Sequence, residues 1–287
     1  MEMYIHKEYK EGKLTVIELR NETNHSWLKV VPERGGIITS LGIQGQELLF
    51  MNEETLQNKE KNIRGGIPIL FPISGQLTNS EYKWEGKTYT MKNHGFARDL
   101  PWAVVEIKKE TDESSISLKL ESNEVTLSSY PFDFELVFTY ILRENELIIE
   151  QTYQNKSSNS MPIYAGFHPY FKTKSKQLKL ETDATEYLDY NDMKTKDLEE
   201  AVTIDQKESY VFKTGKDSIR FYLDESGKCV TMNYGKEFPY IVLWSEEGQD
   251  FVCVEPWMAK TDELNRTDEL TMIESGKALY TKVSIAM

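Results

Sequence analysis

Histidine is scarce in this chain, with four residues among 287. Cysteine is scarcer: Cys229 and Cys253 are the two present, with no CxxC pair. That count fits reduced thiols in a cytosolic protein rather than a disulfide framework. Long apolar runs are missing. No window approaches the roughly 18 residues of a membrane-spanning helix, and the opening "MEMYIHKEYK" is too polar for a secretory leader. These absences lead us to expect a cytoplasmic protein with no membrane partner. Positive charge is outnumbered, since 34 Lys and Arg face 47 Asp and Glu, a formal net charge of −13. Such a chain is repelled by nucleic-acid phosphates and anionic membranes. The acid is spread without a long block, the pattern of a solvated surface.

What remains is enough for a folded core, because 39% of the residues are hydrophobic. Period two dominates. Residues 14–20 ("LTVIELR") and 115–122 ("SISLKLES") alternate apolar with polar. The strongest signal spans 134–155, where Phe134, Leu136, Phe138, Tyr140 and Leu142 share one strand face, "RENE" makes a turn and "LIIEQTY" returns: an antiparallel hairpin. Further strands are expected at 26–31, 37–43, 161–167, 178–182, 219–223, 240–244, 250–254 and 278–285. Helical signals are confined to 53–62 and to one or two turns within 261–270, where a Thr cap precedes an acidic turn. Many strands with almost no helix predict a mostly β fold of stacked or closed antiparallel sheets. With no repeat, linker or step in composition, residues 1–287 read as one domain.

Four segments break the alternation: 62–77 ("NIRGGIPILFPISGQL"), 93–102 ("NHGFARDLPW"), 164–172 ("YAGFHPYFK") and 251–265 ("FVCVEPWMAKTDELN"). Each combines Gly or Pro with aromatics and an ionisable residue, which suits a pocket at the rim of a β sandwich. Two of the four histidines, His94 and His168, lie in them. In the last segment alternation puts Phe251, Cys253 and Glu255 on one face, so the Glu255 carboxyl is partly desolvated and its pKa pushed up. Pro256 is expected to stop the ladder there and leave Glu255 at an edge or mouth. Arg64 stands beside two glycines that allow close backbone approach to a ligand, and its forked donors suit an oxygen-rich group. Arg98 follows His94 by four residues.

Three chemistries use such residues. A two-His, one-carboxylate metal site would usually carry an HxH or HxD/E pair on one strand, and here the histidines are 74 residues apart. A glycosidase needs a second carboxylate that the sequence does not single out. Proton transfer between a glutamate base and a histidine acid uses every unusual residue and no cofactor.

Taken in order and at these distances, "RGGIPILFP", "HGFAR", "SSYPFDFEL", "HPYF" and "CVEPW" resemble the aldose 1-epimerase (mutarotase) superfamily. The likeness is to its bacterial galactose-mutarotase-like and hexose-6-phosphate-epimerase-like branch, and it spans about residues 12 to 285. The resemblance implies a galactose-mutarotase-like β supersandwich with antiparallel sheets and very few short helices. It implies a small-molecule sugar in an open cleft, and α/β anomer interconversion without metal or cofactor. By the family pattern Glu255 matches the base that takes the C1 hydroxyl proton and His168 the acid that protonates the ring oxygen. His94 matches a histidine that hydrogen-bonds near the ring oxygen, and Arg64 a substrate-binding arginine. Two features depart from the pattern. Trp257 stands where many phosphate-using relatives have glycine, and would stack on a sugar face or narrow the cleft. The additional binding carboxylate is unmarked, with Asp189 the candidate by position and Asp192 its competitor. Arg64 and Arg98 could jointly bind a sugar phosphate, but the acidic chain gives such a ligand no long-range help, so a free hexose is slightly favoured. A catalytically silent sugar-binding protein on the same fold is the competing reading; it would lack an acid or a base, and both are present. The sequence leaves the oligomeric state open.

Overall fold

The computed structural model describes residues 3–223 and 228–287. The alternating segments become strands, paired in antiparallel ladders that give each strand one buried face. The hairpin of Phe134–Arg143 and Glu146–Asn155 forms as expected, in register from Phe134↔Asn155 to Arg143↔Glu146. It sits inside a nine-stranded sheet, flanked by Glu113–Glu121 on one side and Ala278–Ala286 on the other. A meander of five strands, from Tyr4–Glu11 to Gln46–Glu47, makes a second sheet.

The sheet that positions the site runs in the order Lys194–Asp197, Glu186–Asp189, Tyr210–Lys213, Tyr240–Trp244, Phe251–Trp257, Gly166–Phe167, Ile69–Leu70. Tyr170–Lys172 also pairs with Phe251–Trp257. One face of this sheet supplies Val252, Val254, Ile241 and Leu243 to a large core. That core also holds Leu136, Phe138, Ile149 and Tyr153 of the nine-stranded sheet, so the two sheets pack face to face. Phe71, Phe134, Tyr153 and Phe138 link the layers through ring contacts of 5.0 to 5.9 Å. Each such side chain contributes about 1.5–3 kcal/mol by leaving water.

Several expectations need correction. Pro256 does not end its strand: the ladder continues through Ile241↔Pro256 to Tyr240↔Trp257. Met258 N donates to Ala165 O, so alternation aims the missing N–H of residue 256 toward the Gly166–Phe167 side, where the ladder is already open beside His168. Glu255 therefore lies inside a central strand and not at its end. The run 161–167 splits, with Met161–Ile163 pairing Thr271–Ile273 and Gly166–Phe167 joining the other sheet. Helix is shorter than expected at Glu53–Gln57. The single turn Glu263–Arg266 starts from Asp262, with no side-chain cap. A helix at Glu124–Ser129 was not anticipated, although Asn123 and Thr126 make a capping box there. No helix among the described residues is long and apolar enough to cross a membrane.

Candidate active site

The strand Phe251–Trp257 is buried throughout, and its odd residues point away from the main core. Cys253, Glu255 and Trp257 share that face, and their cross-strand partners Trp244, Val242 and Tyr240 continue it. On the other flank the register runs Gly166↔Trp257 and Tyr170↔Cys253. Both pairs lie on one continuous register, which places His168 opposite Glu255 in the gap between them. Pro169 supplies no N–H, and His168 N donates sideways to Pro68 O at 3.1 Å. The interruption at "HPY" thus frees the imidazole while keeping it across from the carboxylate.

His168 Nε2 lies 3.4 Å from Glu255 Oε1. The other carboxylate oxygen, Oε2, accepts a hydrogen bond from Trp257 Nε1 at 3.0 Å. The His168 ring stacks on Tyr170 at 4.6 Å and meets Trp244 edge-on at 5.7 Å, while its Nδ1 is buried without a partner. Glu255 is 1% exposed and His168 6%. Burial pushes the Glu255 carboxyl well up, with Trp257 and Arg98 pulling it back. Burial also pushes His168 well down, helped by the positive charges of Arg98 and Arg64. Both shifts favour the uncharged forms, a carboxylic acid beside a neutral imidazole.

Loops cover this floor. His94 sits at φ 66° between Asn93 and Gly95. It is locked to Gly75 twice: His94 N donates to Gly75 O at 2.8 Å, and Gly75 N donates to His94 Nδ1 at 3.0 Å. Accepting at Nδ1 puts the proton of a neutral His94 on Nε2, as a donor. Its pKa is pushed down, first by burial and then by Arg98, which keeps it neutral. His94 packs edge-on against His168 at 5.4 Å and against Trp257 at 5.8 Å. Gly95 is required beside it: φ is 69°, and a Cβ would lie 2.2 Å from Phe71 O.

Arg98 is 6% exposed, donates from Nη2 to Asn93 O at 3.1 Å and leaves Nε without a partner. Among the described residues no carboxylate pairs with it; Asp99 meets Lys92 instead, at 3.8 Å. Burial accordingly lowers its pKa. Arg64 donates from Nε to Glu246 Oε2 at 3.0 Å and lies 5.3 Å from the Trp244 ring centre.

The fold therefore gathers Glu255, His168, His94, Trp257, Arg98 and Arg64 around one floor. It does not bring Asp189 there. The register Asp189↔Tyr210↔Leu243↔Val254 puts Asp189 in the row that faces the core, opposite to the Glu255 face. Its carboxylate is held by Lys196 at 2.6 Å and by Asn191 N and Nδ2, each at 2.8 Å. Asp192 is exposed and bridges to the same lysine. Tyr170, Trp244 and Glu246 were not singled out in the sequence. Tyr170 was readable as the i+2 neighbour of His168 on one strand face. Trp244 and Glu246 reach the site across strands and carry no local signal. His94 Nδ1 accepts from Gly75 N, so Nε2 is the nitrogen that His94 turns toward the site. Among the described residues, ligand-type atoms of His168, Cys253 and Glu255 come together, all within 4.8 Å of one another.

Comparison with known proteins bears on the family and the fold. The family model for aldose 1-epimerase matches residues 15–285. "Protein LacX, chromosomal" of Lactococcus lactis is 26% identical over 86% of this chain and 89% of its own length. A Cenchrus ciliaris protein named "Putative glucose-6-phosphate 1-epimerase" is 28% identical over 79% of this chain and 66% of its own length. Among solved structures, the Slr1438 protein of Synechocystis superposes with a TM-score of 0.92 at 32% identity, covering 97% of both chains. A galactose mutarotase-like protein of Clostridium acetobutylicum shares the fold at a TM-score of 0.82 and 16% identity, over 100% of both chains. With its galactose-mutarotase-like β architecture and a family match spanning nearly its whole length, the chain belongs to the aldose 1-epimerase family.

Proposed function

We propose that this chain interconverts the α and β anomers of an aldose, with Glu255 and His168 as the proton-transfer pair. The observation that carries the proposal is the 3.4 Å approach of His168 Nε2 to Glu255 Oε1 on a buried floor. A pyranose lying over that floor meets an acceptor for its C1 hydroxyl proton and a donor for its ring oxygen. The sugar displaces the direct contact, and the one proton that the pair holds between them is drawn to His168 as the C1 hydroxyl hydrogen-bonds to the Glu255 carboxylate. Glu255 then takes the C1 hydroxyl proton while His168 protonates the ring oxygen and the C1–O5 bond breaks. The aldehyde rotates about C1–C2, and closure on the other face returns both protons. His94 Nε2–H is a fixed donor for the same oxygen, and Trp257 and Tyr240 offer apolar surface to the ring.

Glu255→Gln and His168→Ala are each expected to lower the catalysed rate by about 100- to 10,000-fold. Polarimetry above the spontaneous rate measures this, with circular dichroism showing an intact fold. Normal anomer exchange by either variant would refute the role of that residue.

One observation favours a second reading of the substrate, a hexose 6-phosphate. Arg98 is a buried cation that no carboxylate among the described residues pairs with, and its Nε, without a hydrogen-bond partner among them, suits an anion. Arg64 supports this less, since Glu246 already occupies it.

A further inference from the structure

The catalytic floor carries a further titratable side chain, a thiol, that the proton transfer does not use. Cys253 is two residues before Glu255 on the same face, fully buried beside Tyr170 and Phe251. Its thiol, an imidazole nitrogen of His168 and a carboxylate oxygen of Glu255 lie within 4.8 Å of one another.

We propose that His168, Cys253 and Glu255 form an inhibitory site for a soft divalent cation of the zinc or cadmium class. Three donors of N, S and O type suit such an ion. Tetrahedral bonds of about 2.0–2.3 Å require ligand separations of about 3.3–3.8 Å. The His168–Glu255 edge, at 3.4 Å, is already there. With all three atoms within 4.8 Å of one another, the thiol has at most about 1 Å to close to reach the range those bond lengths set. Trp257 holds Glu255 Oε2 and leaves Oε1 turned toward His168. On binding, the thiol proton and the proton shared by the pair pass to solvent, and the metal occupies both groups that would otherwise meet the sugar.

The surroundings mark this as reversible inhibition and not as a resident cofactor. Ligating histidines usually donate their second ring nitrogen to a fixed acceptor, which strengthens the bond. His168 Nδ1 has no hydrogen-bond partner among the described residues. Arg98 and Arg64 add positive charge beside the ligands. Both features weaken cation affinity.

The test uses cadmium chloride as probe. Cadmium is expected to produce an ultraviolet thiolate-to-metal charge-transfer band that saturates at a single equivalent. Cys229→Ser should retain the band and Cys253→Ser should lose it. This readout is independent of the epimerase proposal. The inhibition arm rests on that proposal: zinc should compete with the sugar, and Cys253→Ser should raise the half-inhibitory zinc concentration by about tenfold or more, each variant normalised to its own metal-free rate. Absence of the band in the unmodified chain would overturn the site. So would its persistence in Cys253→Ser, or equal zinc sensitivity in that variant. Should Cys253→Ser misfold, excess sugar added to the unmodified chain decides: the cadmium band falls if the site is shared and stays if it is not.

Discussion

At the scale of single residues, the account turns on how Glu255 is held. Burial alone would keep it protonated; Trp257 Nε1–H opposes that by donating to Oε2. The indole was expected to face the sugar or narrow the cleft, and its hydrogen bond gives it a positioning role as well. Trp257→Phe keeps the ring surface and removes the donor. The carboxyl pKa then rises further, since the charged form loses a partner. The alkaline limb of kcat/KM, where the pair loses its last proton, is expected to move to higher pH. The loss of one hydrogen bond to a charged group lowers kcat by about 10- to 100-fold. An unchanged pH profile would show that the indole is only packing. His168 and His94 stood out in the sequence because each interrupts a period-two pattern with Gly or Pro beside it, and Glu255 because alternation put a carboxyl on one face with Phe251 and Cys253. Asp189 had only its position to recommend it, and cross-strand register decides which way a side chain points.

At the scale of elements, the site depends on segments that are not regular strands. The gap at residues 168–169 and the turn at 93–95 each give up ladder hydrogen bonds to aim an imidazole. Gly95 is tightly constrained in the second of these. Gly95→Ala would force a Cβ toward Phe71 O at a φ of 69°. It is expected to destabilise the fold by about 1–3 kcal/mol, measured by the urea midpoint, and to reduce activity through His94. Equal stability would mean that the turn relaxes without penalty. Period two made the long hairpin readable. It failed for Glu186–Asp189, Lys194–Asp197 and Tyr210–Lys213, short strands whose pairing partners, not their own patterns, define them. It also failed at Pro256, where the rule against proline in a ladder holds only when the missing N–H has a partner waiting.

At the scale of the whole molecule, the net charge of −13 predicts that anionic ligands are not attracted from a distance. Recognition of a phosphate would have to be local, and Arg98 is the group placed to provide it. On the hexose 6-phosphate reading, Arg98→Ala is expected to lower kcat/KM for glucose 6-phosphate by about 10- to 100-fold more than for glucose. Equal losses on the two sugars would assign Arg98 to the ring chemistry. The sheet order was the least legible property of the sequence. It joins residues about 90 apart, as in Gly166↔Trp257, and no local pattern encodes such a pairing. The most direct measurement is a crystal structure of the Glu255→Gln variant soaked with an aldose. The account predicts the C1 hydroxyl within about 2.6–3.2 Å of residue 255 and the ring oxygen within the same reach of His168. A sugar bound elsewhere, or one presenting neither atom to those two side chains, would contradict it.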